Sequence, residues 1–314
     1  MFETCHIIDS GGSPFWPVCA NCRETQTEPD HPLWEPMSDL TSSIRAALAD
    51  GGTVASDKRT FGIPMRPLTG PLEGHILAVY RGGRDPEVQE LLARRHDSYI
   101  DCLRLAGVRV PDTHLRLLDE AGMQRPVIVQ KAVPEEMMLG PLILNASPEA
   151  AIDLLDRVAT DVAEFWRRVA QRPERVGFHA QIERFGMDDD GPLFLDTFPP
   201  LISYSRDEMG HLIQRFADNG LVRGLGKVLP GRLRDMQDRW YTPAGSVQTL
   251  IEGALRLRPG DAEDILEWAD RFATTRLEGP WRNAVQAQLA RHARAAKLNV
   301  GRWSAITGRD RPHA

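Results

Sequence analysis

The sequence predicts an α+β protein in two parts, a small antiparallel β-rich part followed by a mostly helical part. Strand signals separated by turn residues cluster between residues 53 and 132, and helical periodicity dominates after residue 147. We therefore expect three segments: an irregular cysteine-containing stretch (1–36), a β-rich part (37–136) and a helical part with a basic C-terminal tail (137–314).

Composition predicts a soluble globular chain. Its 314 residues suffice for a substantial core, and 42% apolar and 26% charged residues are ordinary values. The net charge of −6 gives no general attraction to nucleic acid. No apolar run is long enough to span a bilayer, the N-terminus lacks a signal-peptide pattern, and four cysteines are too few for a disulfide scaffold. We expect a cytoplasmic protein without membrane contact.

The first 36 residues contain a possible zinc site. Cys19 and Cys22 are separated by two residues, which lets both thiolates converge on one ion. Cys5 with His31 (or His6) would complete a tetrahedral set. The alternative is that these cysteines are free, or that they lie in a mobile arm.

The β-rich part begins after a helix-like pattern that stops at Gly51. Strand signals follow at residues 53–55, 61–65, 75–80, 114–118 and 126–132. A helix that starts near Asp85 and stops at Gly107 separates the third strand from the fourth. We expect a meander with one helix inserted.

The clearest helix starts at Ser147, a good N-cap, with Pro148 at its first position. Apolar residues recur at steps of three and four along it, so one face is buried core. The chain then reaches a stretch, residues 177–201, with a hairpin signal around the acidic turn 188–191. Asp196 stands at the exit of the second strand, where it either faces a ligand or bonds its own backbone.

This order of helix, His-containing loop, hairpin and exit Asp resembles the catalytic segment of kinase-like phosphotransferases of the aminoglycoside and choline type. The resemblance implies a bilobal protein-kinase-like fold in which Asp196 binds Mg²⁺. His179 matches the loop His, Gln181 stands where the catalytic Asp is expected, and Gly186 (or Arg184 in a shifted alignment) where an Asn is expected.

The altered loop leaves several roles open. Gln181 is able to orient a hydroxyl or water by hydrogen bonding, although it cannot take a proton as a carboxylate does. His179 is either a general base or, as in the resembling family, a structural residue. Glu183 is either a displaced base or metal ligand, or a solvent-exposed acid.

The same resemblance predicts an ATP site. Arg81 is nearest to the position of the lysine that holds the nucleotide phosphates, and Lys131 is a second candidate. Gln130, Lys131 and Val133 would form the hinge beside adenine. The alternatives are a surface charge at Arg81 and a plain strand and loop at the hinge. The carboxylates able to pair with Arg81 are Glu87, Glu90 and Asp97.

The C-terminal tail carries an excess of positive charge, which is interpreted either as a solvated helix face or as an RNA-binding surface. Its basic residues are Arg282, Arg291, Arg294, Lys297, Arg302, Arg309 and Arg311, against Asp310 alone.

Three functions remain. The first is an ATP-dependent phosphotransferase acting on a small-molecule acceptor. The second is an acyl or aminoacyl transferase, with tRNA as a possible donor. The third is a catalytically inactive protein that binds nucleotide or a partner.

Overall fold

A computed structural model describes residues 37–54, 61–216 and 230–307, with only the backbone of residues 37–39, 54, 230, 232, 233, 293 and 295–307. The predicted zinc ligands Cys5, Cys19, Cys22 and His31 lie outside these residues. The separate segments that we expect at residues 1–36, 37–136 and 137–314 stay predictions.

The predicted fold class is confirmed: a small antiparallel sheet precedes a mostly helical part. The strands are β1 (Gly52–Val54), β2 (Ile63–Pro67), β3 (His75–Val79), β4 (Thr113–Glu120), β5 (Met123–Lys131), β6 (Phe185–Asp188) and β7 (Gly191–Phe194). The helices are α1 (Met37–Asp50), α2 (Pro86–Leu105), α3 (Leu139–Asn145), α4 (Pro148–Val169), α5 (Arg206–Phe216), α6 (Pro230–Trp240), α7 (Pro243–Leu257), α8 (Ala262–Arg276) and α9 (Gly279–Thr307).

The first five strands form one antiparallel sheet in the order β1-β2-β3-β5-β4. The turn between β4 and β5 places Ala121 and Gly122 at positive φ, the geometry of a tight hairpin. Helix α2 connects β3 to β4, as the sequence predicts. Asp85 caps this helix by accepting a hydrogen bond from the Val88 amide.

The two faces of the sheet are buried against different helices because successive side chains of a strand point to opposite sides. Ala78 and Ile128 face the large core that includes α2 and the helical part. Leu77 and Val127 belong to a second cluster, which α1 covers with Ile44. The sheet is therefore a middle layer between α1 and the rest of the protein.

Helix α4 is the centre of the helical part and packs against α7 and α8. Its cap is as predicted, since the Ala150 amide donates to Ser147 Oγ. Leu155, Ala159 and Val162 are fully buried along its predicted core face. Within the described ranges, none of the helices combines the length and apolar character needed to cross a membrane.

Candidate functional site

The hairpin β6–β7 brings residues 184 and 196 to the same place. A short turn, Ile182–Arg184, enters β6, and the Arg184 amide donates to Gln181 O at 2.9 Å. Phe185 pairs with Phe194, and the Leu195 amide donates to Arg184 O at 2.8 Å. Asp196 is the next residue. This backbone pairing brings residues 184 and 196 close together.

Asp196 is buried between two nitrogen-bearing side chains. Its Oδ2 lies 3.4 Å from Arg184 Nε and 3.3 Å from His179 Nδ1. Only 10% of the Asp196 side chain is exposed, and only 3% of the Arg184 side chain. Water contributes little to solvating this carboxylate, so the guanidinium supplies much of the compensating charge.

The end of helix α6 packs against the loop that carries His179. The Trp240 ring lies 4.9 Å from the His179 ring, and Trp240 O accepts a hydrogen bond from the Phe178 amide at 2.6 Å. Gly177 permits this approach, because a Cβ there would lie 2.8 Å from Trp240 O. The loop that carries His179 is therefore held against the end of α6.

The other predicted loop residues are Gln181, Glu183 and Gly186. Gln181 is half-buried. Glu183 points outward and forms an ion pair with Arg256 of α7 at 2.6 Å. Gly186, at the position expected for Asn, has no side chain, and a Cβ there would lie 2.9 Å from Val133 Cγ1. Close packing against the segment that follows β5 explains why this position is glycine.

The residue after Asp196 connects the site to α2. Thr197 Oγ1 lies 3.0 Å from Nε2 of His96, and the His96 side chain has no exposed surface. Burial lowers the pKa of His96, and only the neighbouring Asp97 opposes this effect. The neutral imidazole is thus the form that fits between α2 and the hairpin exit.

Aromatic rings pack the inner face of the sheet against the segment that follows Asp196. Tyr80 follows Ala78 by two residues on the inner face, and its ring stacks on Phe198 with centroids 3.8 Å apart. Phe61 contacts the edge of Phe198 at 6.4 Å. All three rings are buried. Arg81, the residue predicted to hold phosphate, is exposed just beyond β3.

The predicted hinge makes internal contacts. Gln130 is buried, and its Nε2 donates to Thr113 Oγ1 at 3.0 Å and to Leu195 O at 3.2 Å, so it ties the sheet to the residue before Asp196. Val133 packs against Gly186 and its carbonyl accepts from Arg66 at 3.4 Å. Lys131 is exposed, and its amide donates to Asp112 O.

The two neighbours of Asp196 described above are both nitrogen-bearing side chains. Mg²⁺ requires oxygen ligands in octahedral geometry, whereas the neighbours of Asp196 given above are a guanidinium and an imidazole. Over residues 37–54, 61–216 and 230–307, no group of three or more His, Cys, Asp or Glu side chains is placed to hold a metal ion.

The strand order, the helix between the third and fourth strands, and the loop–hairpin–Asp196 segment together define a kinase-like scaffold. Residues 39–309 match the model of a family described as being of unknown function, DUF6206. The chain belongs to this family. No curated protein matches the sequence.

Two of the solved structures that resemble the chain are protein kinases or pseudokinases by name. One is vaccinia related kinase 3, with 12% identity, coverage of 76% of this chain and 85% of that chain, and a TM-score of 0.35. The other is the pseudokinase drought responsive inactive kinase 1 bound to ENMD-2076, with 13% identity, coverage of 76% and 96%, and a TM-score of 0.31. The aminoglycoside and choline subtype stays a prediction.

Sequence reasoning missed three residues that shape the site. Arg184 entered only as an alternative position for Asn, and neither Tyr80 nor His96 was singled out. The alternation of side chains along β3 was the available signal for Tyr80, because it places residues 78 and 80, not 81, on one face. No sequence pattern marked Arg184 as buried.

Proposed function

We propose that this chain is a kinase-like protein that does not transfer phosphate and instead acts by binding a ligand or a partner. The observation that carries the proposal is the buried contact between Asp196 and Arg184. A carboxylate already compensated by an internal guanidinium is a poor ligand for Mg²⁺, because the ion would have to displace the arginine.

Three further features support the proposal. Gln181 cannot serve as the catalytic base, since an amide does not accept a proton at neutral pH. Gly186 offers no metal ligand. The inner-face position on which a phosphate-holding cation would depend carries Tyr80, which stacks on Phe198.

The test measures ATP consumption and thermal stability with and without Mg²⁺, in the presence of alcohol and amine acceptors. We expect no Mg²⁺-dependent turnover and no increase in melting temperature that requires both ATP and Mg²⁺. A nucleotide-induced stabilisation independent of Mg²⁺ agrees with the proposal, because it is binding without transfer.

Asp196→Asn and Glu183→Gln form a matched pair of variants from the same segment. The proposal is abandoned if the wild type consumes ATP with Mg²⁺ and if Asp196→Asn, still folded by circular dichroism, abolishes that activity while Glu183→Gln retains it. Acyl or aminoacyl transfer and RNA binding stay predictions, since no contact described above for residues 37–54, 61–216 and 230–307 favours them.

A further inference from the structure

The C-terminal end of α5 packs against the segment that follows Asp196. Its last residue, Phe216, is 1% exposed, and its ring meets the ring of Phe198 edge to face, with centroids 5.2 Å apart. Phe198 in turn stacks on Tyr80, directly after β3. Contacts between buried rings therefore join the end of α5 to the inner face of the sheet.

The preceding residue, Arg215, lies against the loop between β3 and α2. Gly83 in this loop exchanges two backbone hydrogen bonds of 2.9 Å with Gln124, at the start of β5. A Cβ at residue 83 would overlap both Arg215 Nη2 and Gln89 Nε2. Glycine at this position leaves room for the two side chains and makes Gln89 of α2 a neighbour of Arg215 of α5.

The polar part of this contact is incomplete. Gln89 has no exposed surface, and neither its Nε2 nor its Oε1 has a hydrogen-bond partner. Arg215 is half-buried, and within the part of the chain that the structure describes it forms no ion pair and no hydrogen bond. A half-turn of the Gln89 amide offers the guanidinium one neutral acceptor. Such a contact is weaker than a charge-assisted hydrogen bond to a carboxylate.

Helix α2 contacts the segment between residues 197 and 216 at both of its ends. At the beginning, His96 Nε2 lies 3.0 Å from Thr197 Oγ1. At the end, Gln89 is the neighbour of Arg215. A displacement of the end of α5 therefore removes one of the two contacts that hold α2 beside the residues following Asp196.

We propose that Arg215 and Phe216 form a latch that holds α2, the sheet and the segment after Asp196 in one arrangement. The latch opens readily because Arg215 rests on a neutral amide. Opening separates Phe216 from Phe198 and so uncovers one side of the ring stack. A carboxylate at position 89 keeps the latch closed. This device goes beyond the proposed function and does not depend on any ligand or on phosphate transfer.

The test follows amide hydrogen exchange in the full chain by mass spectrometry, with α4 as the internal reference. Gln89→Glu places a carboxylate beside the guanidinium, so exchange in α2 and α5 should slow by about tenfold relative to α4. Gly83→Ala adds a methyl group that displaces the end of the Arg215 side chain, so exchange in both helices should become faster.

Two controls separate the latch from other effects of these substitutions. In the double variant Gln89→Glu with Arg215→Met, the carboxylate has no guanidinium and the slower exchange should disappear. Gly140→Ala adds the same methyl group in α3, where a Cβ has no atom within 4 Å, and should leave exchange in α2 and α5 unchanged.

The proposal is overturned if Gln89→Glu fails to slow exchange in α5, or slows it equally when Arg215 is Met. A change confined to α5, with none in α2, also overturns it, because the latch acts on both helices. If Gln89→Glu does not fold, Gly83→Ala decides, since unchanged exchange in α5 then refutes the latch.

Discussion

Glu183 and Arg184 are adjacent in the chain and carry opposite charges, yet they occupy opposite environments. Glu183 pairs with Arg256 at the surface, where 45% and 62% of the two side chains are exposed. Arg184 pairs with Asp196 in the interior, where 3% and 10% are exposed. Water replaces a lost partner at the surface but not in the interior. Charges of the same magnitude at neighbouring positions therefore contribute unequally to stability.

The largest effect is expected from Arg184→Met, which keeps an unbranched chain and removes the charge. Asp196 is then a buried carboxylate without its guanidinium. We expect the free energy of unfolding, measured with urea, to fall by about 3–5 kcal/mol.

The double variant Arg184→Met with Asp196→Asn separates charge from packing. Because it removes both charges together, it should recover a large part of the free energy of unfolding that Arg184→Met loses. A double variant no more stable than Arg184→Met would show that packing of the arginine side chain, and not its charge, is what matters.

The buried hydrogen bonds of Gln130 involve polar but uncharged groups. Their loss should therefore lower the free energy of unfolding by less. Gln130→Leu leaves Leu195 O and Thr113 Oγ1 without the Nε2 donor that they share. We expect a fall of about 1–3 kcal/mol in the free energy of unfolding. Lys131→Ala, at the exposed neighbouring position, is the control and should be close to neutral. Equal effects of the two variants would contradict a role for the Gln130 side chain.

The sequence was sufficient for the fold because periodicity and turn signals are local. The inserted helix α2, the hairpin turn at Gly122 and the cap at Ser147 all follow from nearby residues. His179 and Asp196 were singled out by the resemblance and not by these local signals, and the structure places His179 Nδ1 3.3 Å from Asp196 Oδ2.

The sequence does not predict that the Arg184 side chain points into the interior. This direction depends on a single short turn and on the backbone pairing of residues 184 and 195 at the open end of the β6–β7 hairpin, neither of which has a sequence pattern that sets the direction of the side chain. The choice of Arg81 as the phosphate-holding residue relied on its place beside the third strand, as the resemblance implies, and on its charge; β3 ends at Val79, and the role stays a prediction. Gln130 was assigned to the hinge from the order of the surrounding elements, and its contacts with Thr113 and Leu195 are ones that no local pattern reveals.

A third test uses pH to examine the buried contact between α2 and the hairpin exit. Burial lowers the pKa of His96 below its ordinary value of 6.5, so the unfolded chain binds a proton more readily than the folded one. The stability that this group contributes is present above pH 6.5 and is lost as the pH falls through its folded pKa. The loss approaches about 1.4 kcal/mol per pH unit.

His96→Gln keeps a hydrogen-bonding group near Thr197 but does not titrate. Urea denaturation across this pH range should give a flatter stability curve for the variant than for the wild type. Parallel curves would show that other groups cause the acid sensitivity.

The smallest effect is expected from Glu183→Ala, which removes the outward-facing member of the adjacent pair. Both Glu183 and Arg256 are largely solvated, and exposed ion pairs contribute about 0–1 kcal/mol, so the change in the free energy of unfolding should stay within about 0.5 kcal/mol. A loss comparable to that of Arg184→Met would refute the view that burial, and not charge or position in the turn, separates these two residues. Repeating the measurement at high salt sharpens the contrast, because screening weakens the surface pair and leaves the buried one nearly unchanged.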